Sequence, residues 1–195
     1  MNFQWYPGHM TKAKRQMQED IKLIDLVIEL VDARIPLSSR NPDIDELGKN
    51  KYRLILMNKA DLADRKATEQ WSAFFKKKGY YVVSLDARSK NGMKSIADII
   101  MEACKEKMER DRKRGIKNRP VRAMVVGIPN VGKSTFIKRF METLVIPNIE
   151  NVYRRERARD ELPQSGSGRT IMTAEPKFVP EEAVAVTMEG GAAFQ

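Results

Sequence analysis

Apolar residues along this chain come in two rhythms. Short, nearly unbroken runs occur at Leu26 to Asp32, Tyr52-Arg53-Leu54-Ile55-Leu56-Met57, Tyr80-Tyr81-Val82-Val83-Ser84-Leu85 and Met124-Val125-Val126. Runs of this length, rich in Val, Ile, Leu and Tyr, read as strands buried on both faces. Between them the apolar residues recur at helical spacing, at about Thr11 to Leu23, near Asp43 to Gly48, near Arg65 to Lys78, at about Met93 to Arg112 and over Ser134 to Met141. A loop rich in Pro, Ser and Asn, Ile35 to Pro42, separates the first strand from the short helix that follows. Alternation of strand and helix predicts an α/β domain of three layers, with a mostly parallel sheet joined by right-handed crossovers. One more strand is expected in the tail, at Ala183-Val184-Ala185-Val186-Thr187-Met188. No internal repeat is visible.

The richest chemistry lies between the last two well-marked elements. Gly127-Ile128-Pro129-Asn130-Val131-Gly132-Lys133-Ser134 follows a strand and opens a helix, the setting that a phosphate-binding loop requires. Gly127 and Gly132 let successive backbone N–H groups turn inward around a phosphate, and the helix N-terminus adds partial positive charge. Asn130, Val131, Gly132 and Thr135 would contribute to that cradle. Lys133 is expected to reach the β- and γ-phosphates, and the Ser134 hydroxyl to coordinate Mg²⁺. Asn58-Lys59-Ala60-Asp61 falls at the end of the second strand, on the edge where parallel α/β sheets bind ligands. The Asp61 carboxylate can accept hydrogen bonds from the N1–H and exocyclic amine of guanine, which adenine does not offer. Asn58 is expected to brace the loop, and the Lys59 stem to cover the purine face. Asp86-Ala87-Arg88, after the third strand, occupies the place of a backbone contact to guanine O6. Most GTPases place the phosphate loop before the guanine tetrapeptide. Here the order is reversed, so the pattern predicts a P-loop NTPase fold with circularly permuted motifs, binding GTP or GDP with Mg²⁺. Permutation is tolerable because every nucleotide contact sits on one edge of the sheet, whichever strand comes first.

Composition narrows the partners. The chain of 195 residues carries a net charge of +10, with cationic clusters at Lys12, Lys14 and Arg15, at Lys76 to Lys78, and over Lys105 to Arg122. Such an excess favours a polyanion, because clustered Lys and Arg displace counterions from a phosphate backbone, and RNA rather than DNA is the economical choice. Hydrophobic residues make up 42% of the chain, enough for the core of one sizeable domain. No apolar run approaches the length needed to cross a bilayer, and Met1-Asn2-Phe3-Gln4 lacks the basic start of a secretory signal, so a cytoplasmic protein without a membrane partner is expected. Cys104 is the one cysteine, which excludes an internal disulfide and assigns it to packing.

Four segments, Trp5-Tyr6-Pro7-Gly8-His9-Met10, Val31-Asp32-Ala33-Arg34-Ile35-Pro36-Leu37-Ser38-Ser39-Arg40-Asn41-Pro42, Asn58 to Asp61 and Gly127 to Thr135, resemble the ribosome biogenesis GTPase A family in its permuted order. The likeness covers about residues 1 to 138. It implies a GTPase acting in assembly of the large (50S) ribosomal subunit, which binds the subunit precursor and its rRNA in the GTP state and times its own release by hydrolysis. Beyond the loop the chain departs from that family. Residues from about 135 to 188, including Arg154-Arg155-Glu156-Arg157-Ala158-Arg159-Asp160 and Thr170-Ile171-Met172-Thr173-Ala174, resemble stage IV sporulation protein A, an ATP-hydrolysing scaffold of the spore coat.

The join has mechanical consequences. No Asp-x-x-Gly follows the phosphate loop, so the sequence ends short of a second switch, and the main sheet is expected to lack a strand. Thr173, with Thr170 as its rival, is the candidate first-switch threonine for Mg²⁺ and catalysis. His9, the one histidine, would position the attacking water, the alternative being a loop histidine that caps the first helix or touches RNA. Residues 1–140 are assigned to a permuted GTPase domain with an N-terminal extension, and 141–195 to an atypical continuation with the switch region and one or two strands. Three functions therefore compete: a ribosome-assembly GTPase, a spore-coat ATPase scaffold, and a nucleotide- and RNA-binding module that does not hydrolyse.

Overall fold

The computed structural model describes residues 15–89, 93–116, 121–163, 186–187 and 193–194. A helix, α1 (15–20), tightens into a 3₁₀ turn at Ile21–Leu23 and leads to β1 (Leu26–Asp32). There follow α2 (Asp43–Leu47), β2 (Tyr52–Asn58), α3 (Arg65–Lys77), β3 (Tyr81–Ser84), α4 (Met93–Lys113), β4 (Ala123–Val126), α5 (Lys133–Phe140), α6 (Val152–Asp160), β5 (Val186–Thr187) and β6 (Ala193–Phe194).

The first four strands form a parallel sheet in the order β3-β2-β1-β4. Every residue of the central strand β1 is buried, which explains a run that is apolar except at Glu29 and Asp32. Period-two alternation sends Leu26, Ile28 and Leu30 to one face, against α4 and α5, where Met93, Ile96, Ala97, Ile100, Ala103 and Cys104 recur at helical spacing beneath Phe136. Val31, Ile55, Met57 and Val82 point to the other face, where Phe75 of α3 packs among them. These are the three layers that the alternation of elements predicts. Asp64 caps α3 by accepting from the Ala67 N–H at 2.7 Å, and Trp71, Phe74, Phe75 and Tyr80 form an edge-to-face aromatic chain that runs from exposed Phe74 to buried Phe75.

Glu29 is the exception within β1, a carboxylate with no exposed surface in the middle of the central strand. It accepts hydrogen bonds from Arg40 Nη2 at 2.8 Å and Arg53 Nη2 at 3.0 Å, and both guanidiniums also reach Asp45 Oδ1, at 2.6 and 3.2 Å. The Tyr80 ring lies 5.3 Å from each guanidinium carbon. This network pins the 35–42 loop and α2 to the sheet, since none of its charges could be left unpaired inside.

Val186–Thr187 pairs antiparallel with Ala193–Phe194 in a separate two-stranded sheet, and the rest of the run expected as a strand, 183–185 and 188, lies outside the described residues. Among the described residues β3 and β4 are the two edges of the main sheet. No helix among these residues is long and apolar enough to cross a membrane.

Candidate functional site

All four parallel strands deliver their carboxyl ends to one edge. In register, Asp32 of β1 lies opposite Asn58 of β2. Buried Asn58 joins three loops: its Nδ2 donates to Val131 O at 2.7 Å, and its Oδ1 accepts from the Ala87 N–H at 2.8 Å. The guanine tetrapeptide, the phosphate loop and the Asp86-Ala87 turn are thereby assembled by one side chain. The amide orientation follows from its partners, one donor and one acceptor.

Glycine is required twice in the phosphate loop. Gly132 has φ +98°, and a Cβ there would lie 2.2 Å from Asn58 Nδ2. Gly127 has φ +149°, and its Cβ would meet Leu30 O at 2.6 Å. Two other residues accept left-handed backbone, Asn130 at φ 65° and Lys59 at φ 61°. Asn tolerates that region, whereas Lys59 is held there by its own side chain, whose Nζ donates to Asn130 O at 2.8 Å and to Asp32 Oδ2 at 2.9 Å. Asp32 also accepts from Arg34 Nη2 at 2.7 Å and Nε at 2.9 Å. The Arg34 guanidinium, aided by Lys59 and opposed by burial, holds the Asp32 carboxyl far below the usual carboxylate range.

Lys133, at the start of α5, folds back so that Nζ donates to Gly127 O at 2.7 Å and Ile128 O at 2.8 Å. Burial without a counter-charge pushes its ammonium down to about 8. A phosphate is the partner this geometry suits, because it would supply the missing charge beside a loop that only glycines can form. Ser134 is exposed at the helix start. No cluster of three His, Cys, Asp or Glu capable of holding a metal occurs among the described residues.

Asp61 is partly exposed, and its Oδ2 accepts from Arg88 Nη2 at 2.6 Å. Arg88 in turn reaches Asp86 Oδ1 through Nε at 3.2 Å. The structure thus links Asn58, Lys59, Ala87, Asn130 and Val131 directly, places Gly132 against Asn58, and connects Asp61 to Asp86 through Arg88. Lys133, Ser134 and Thr135 follow on the same loop and helix. His9 and Thr173 lie outside the described residues. Sequence reasoning missed the anchoring of Lys59 by Asp32 and the Arg88 contact to Asp61. The one available signal was position, a charged residue directly after a strand on the ligand edge.

Comparison with known proteins divides the chain in two. Ribosome biogenesis GTPase A of Bacillus cereus is 55% identical over 139 residues, which is 71% of this chain and 47% of that protein. The Priestia megaterium protein of the same name is 55% identical over 140 residues, 71% of this chain and 49% of its own length. The chain spans about half the length of these curated relatives. Residues 112–195 match the family model described as "Stage IV sporulation protein A, ATPase domain". Stage IV sporulation protein A of Bacillus anthracis is 66% identical over 67 residues, 34% of this chain and 14% of that protein. The shares covered by the two kinds of relative exceed the whole chain, so they overlap, and the family match beginning at residue 112 includes the phosphate loop. The GDP-bound structure of TM YlqF superposes with a TM-score of 0.51 at 23% identity, over 92% of this chain and 55% of that one, a likeness of fold. The chain therefore joins a stretch similar to ribosome biogenesis GTPase A to a stretch similar to the ATPase domain of stage IV sporulation protein A, with the phosphate loop in the overlap.

Proposed function

We propose that this chain binds GTP and GDP at the carboxyl edge of its sheet, hydrolyses GTP, and acts in assembly of the large ribosomal subunit, holding the precursor and its rRNA in the GTP state. The observation that carries this reading is the pair of hydrogen bonds made by Asn58, which unite a guanine-type loop with a phosphate-type loop 73 residues away. The names of the relatives, ribosome biogenesis GTPase A at 55% identity, supply the biological setting. In this reading Asp61 selects guanine, Ala87 N–H meets O6, Asn130 to Thr135 cradle the phosphates, Lys133 neutralises their charge, and Ser134 with Thr173 holds Mg²⁺. His9 would orient the attacking water. Residues 1–140 serve as the GTPase domain, and 141–195 as its atypical continuation. A cytoplasmic setting fits a ribosomal precursor as partner.

A second reading draws on the match of residues 112–195 to an ATPase domain, which favours an ATP-driven scaffold. Calorimetry in Mg²⁺ with each triphosphate separates the two. Hydrogen bonds to a carboxylate contribute about 1.5–3 kcal/mol each, so two of them at Asp61 make GTP tighter than ATP by about 100-fold or more. Asp61→Ala should erase that preference while leaving the phosphate contacts in place. Equal affinities in the parent chain would sink the GTP reading, and tighter ATP would transfer the function to the scaffold. Phosphate release with and without ribosomal precursor then distinguishes a GTPase from a module that binds without turnover.

A further inference from the structure

At the opposite end of the sheet, about 20 Å from Asn58 by the length of a seven-residue strand, the amino ends of β2 and β3 border a half-open cavity of about 350 Å³. Its walls are two glycine-bearing turns, Gly48 to Lys51 and Lys78 to Tyr80, together with the starts of the two strands. Exposed Lys49 and Lys78 stand on its rim with Lys51, whose Nζ donates to Ile24 O at 2.7 Å and steadies the wall. Tyr52, Tyr80 and Tyr81 line it as well. Asp45 is the one carboxylate in the lining, and it is already matched by the Arg40 and Arg53 guanidiniums. Arg53 lines the cavity too, and its buried Nε has no acceptor among the described residues. At Gly79, φ +86°, open space surrounds the position a Cβ would take, so a ligand can approach the backbone closely.

Exposed Lys49 and Lys78, with Asp45 the one carboxylate in the lining, give this rim a net positive charge that suits an anion, and Tyr52 and Tyr81 beside them add aromatic surface against which a base can lie. The volume lies at the small end of ligand pockets, roughly 300–1,000 Å³, room for one nucleotide and not for a duplex. We propose that this cavity seats a nucleotide of single-stranded RNA, its phosphate held by Lys49 and Lys78 and its base laid against the tyrosine rings. The inference deepens the RNA-binding part of the proposed function and rests on it, while remaining independent of GTP hydrolysis. It places RNA and guanine nucleotide at opposite poles of one sheet, so both can be held at once.

The test is fluorescence anisotropy of a labelled single-stranded RNA about 12 nucleotides long, titrated with the full chain over a range of salt concentrations. Lys49→Ala with Lys78→Ala should weaken binding about tenfold and flatten the plot of log affinity against log salt by about 1.4, the loss of two single-strand phosphate contacts. Tyr52→Leu with Tyr81→Leu, which keeps apolar bulk and removes the stacking faces, should weaken binding about tenfold with the slope unchanged. Arg154→Ala with Arg159→Ala, a charge-matched change on α6, should leave RNA affinity within about twofold, and every variant should keep the parent's GTP affinity. Should the tyrosine pair fail to melt cooperatively, the exposed lysine pair and its slope decide alone. If the parent binds RNA and the cavity variants bind it equally well, the cavity assignment is overturned and the RNA reading stands. If the parent binds no RNA, both fall. Binding of poly-glutamate at the cavity in place of RNA would also overturn the proposal.

Discussion

Two carboxylates on β1, Glu29 and Asp32, sit on the same strand, are both buried and are each paired with two cations, yet they serve the molecule differently. Glu29 has partners as buried as itself, Arg40 and Arg53, whose side chains are 8% and 9% exposed. Asp32 is paired with Arg34 and Lys59, which are 48% and 28% exposed. The first network cannot exchange a partner without opening the core, because an unpaired charge in the interior has no water to receive it. The second can, since water reaches both of its donors. An exchangeable pair at the carboxyl end of the strand, tied through Lys59 to the phosphate loop, is what a site that admits a ligand needs. A closed pair mid-strand is what holds a loop and a short helix against the sheet.

Replacement of one residue from each pair should separate these roles, and Glu29→Ala carries the largest expected effect. It leaves two guanidiniums buried beside one half-exposed Asp45, at a cost of about 3–5 kcal/mol by urea denaturation, while guanine selectivity in the folded chain is retained. A loss of selectivity would erase the contrast. Asp32→Asn should cost less, about 1 kcal/mol, because both of its partners stay solvated, but it removes the carboxylate that orients Lys59, whose Nζ also donates to Asn130 O of the phosphate loop, and should weaken GTP binding. Its pH dependence has a definite sign. The folded Asp32 carboxyl lies below its ordinary value near 3.8, so the stability it contributes is fully present above that pH and is lost as pH falls below it. The parent chain should therefore weaken on acidification through that window more steeply than Asp32→Asn, and parallel curves would refute the pairing.

The same contrast marks what could be read from sequence. β1 was legible to the residue, because a strand buried on both faces reads as a nearly continuous apolar run, interrupted here only by Glu29 before its terminal Asp32, and β2 extended past its apolar run by Asn58, the residue whose side chain does the joining. Helix α4 was legible because its buried positions from Met93 to Cys104 keep helical spacing. Helix α6 was not: it has no apolar stripe, only Ala158 is buried, and its cap is the side chain of Asn151 accepting from the Arg154 N–H at 3.1 Å. The motif letters located Asn58, Lys59 and the phosphate loop individually, through local context. The bonds between them, Asn58 to Val131 and Lys59 to Asn130, cross more than seventy residues and leave no periodic trace. Arg40 illustrates the same limit, since nothing local distinguishes an arginine bound for a buried carboxylate from one bound for solvent.

Lys133 sharpens the view of the ligand edge as exchangeable. Burial lowers its folded pKa to about 8, against 10.5 for the free side chain, so between those values the unfolded chain binds more protons than the folded one. Stability must then rise with pH across that window, and the charged form costs stability below it. Lys133→Met should remove this rise, and denaturation at several alkaline pH values measures it directly. Nucleotide phosphate would restore the charge, so binding near pH 8 should take up protons. Calorimetry in buffers of different ionisation enthalpy would register that uptake, and its absence would place the phosphate away from this ammonium.

Arg88 should give the smallest effect and the finest test. Its guanidinium is 67% exposed and occupies Asp61 Oδ2, one of the two oxygens that guanine would use, while Asp86 holds its other edge. A solvent-exposed pair of this kind contributes little, so Arg88→Ala should leave the melting curve nearly unchanged. Because guanine must displace Arg88 from Asp61, the variant should bind GTP about two- to threefold more tightly at low salt. The difference should shrink at high salt, where screening has already loosened the pair. Weaker binding in Arg88→Ala would mean that Arg88 helps to hold the base. The carboxyl edge would then be prearranged around guanine instead of yielding to it, and the parallel with exchangeable Asp32 would fail at Asp61, the residue proposed to select the base.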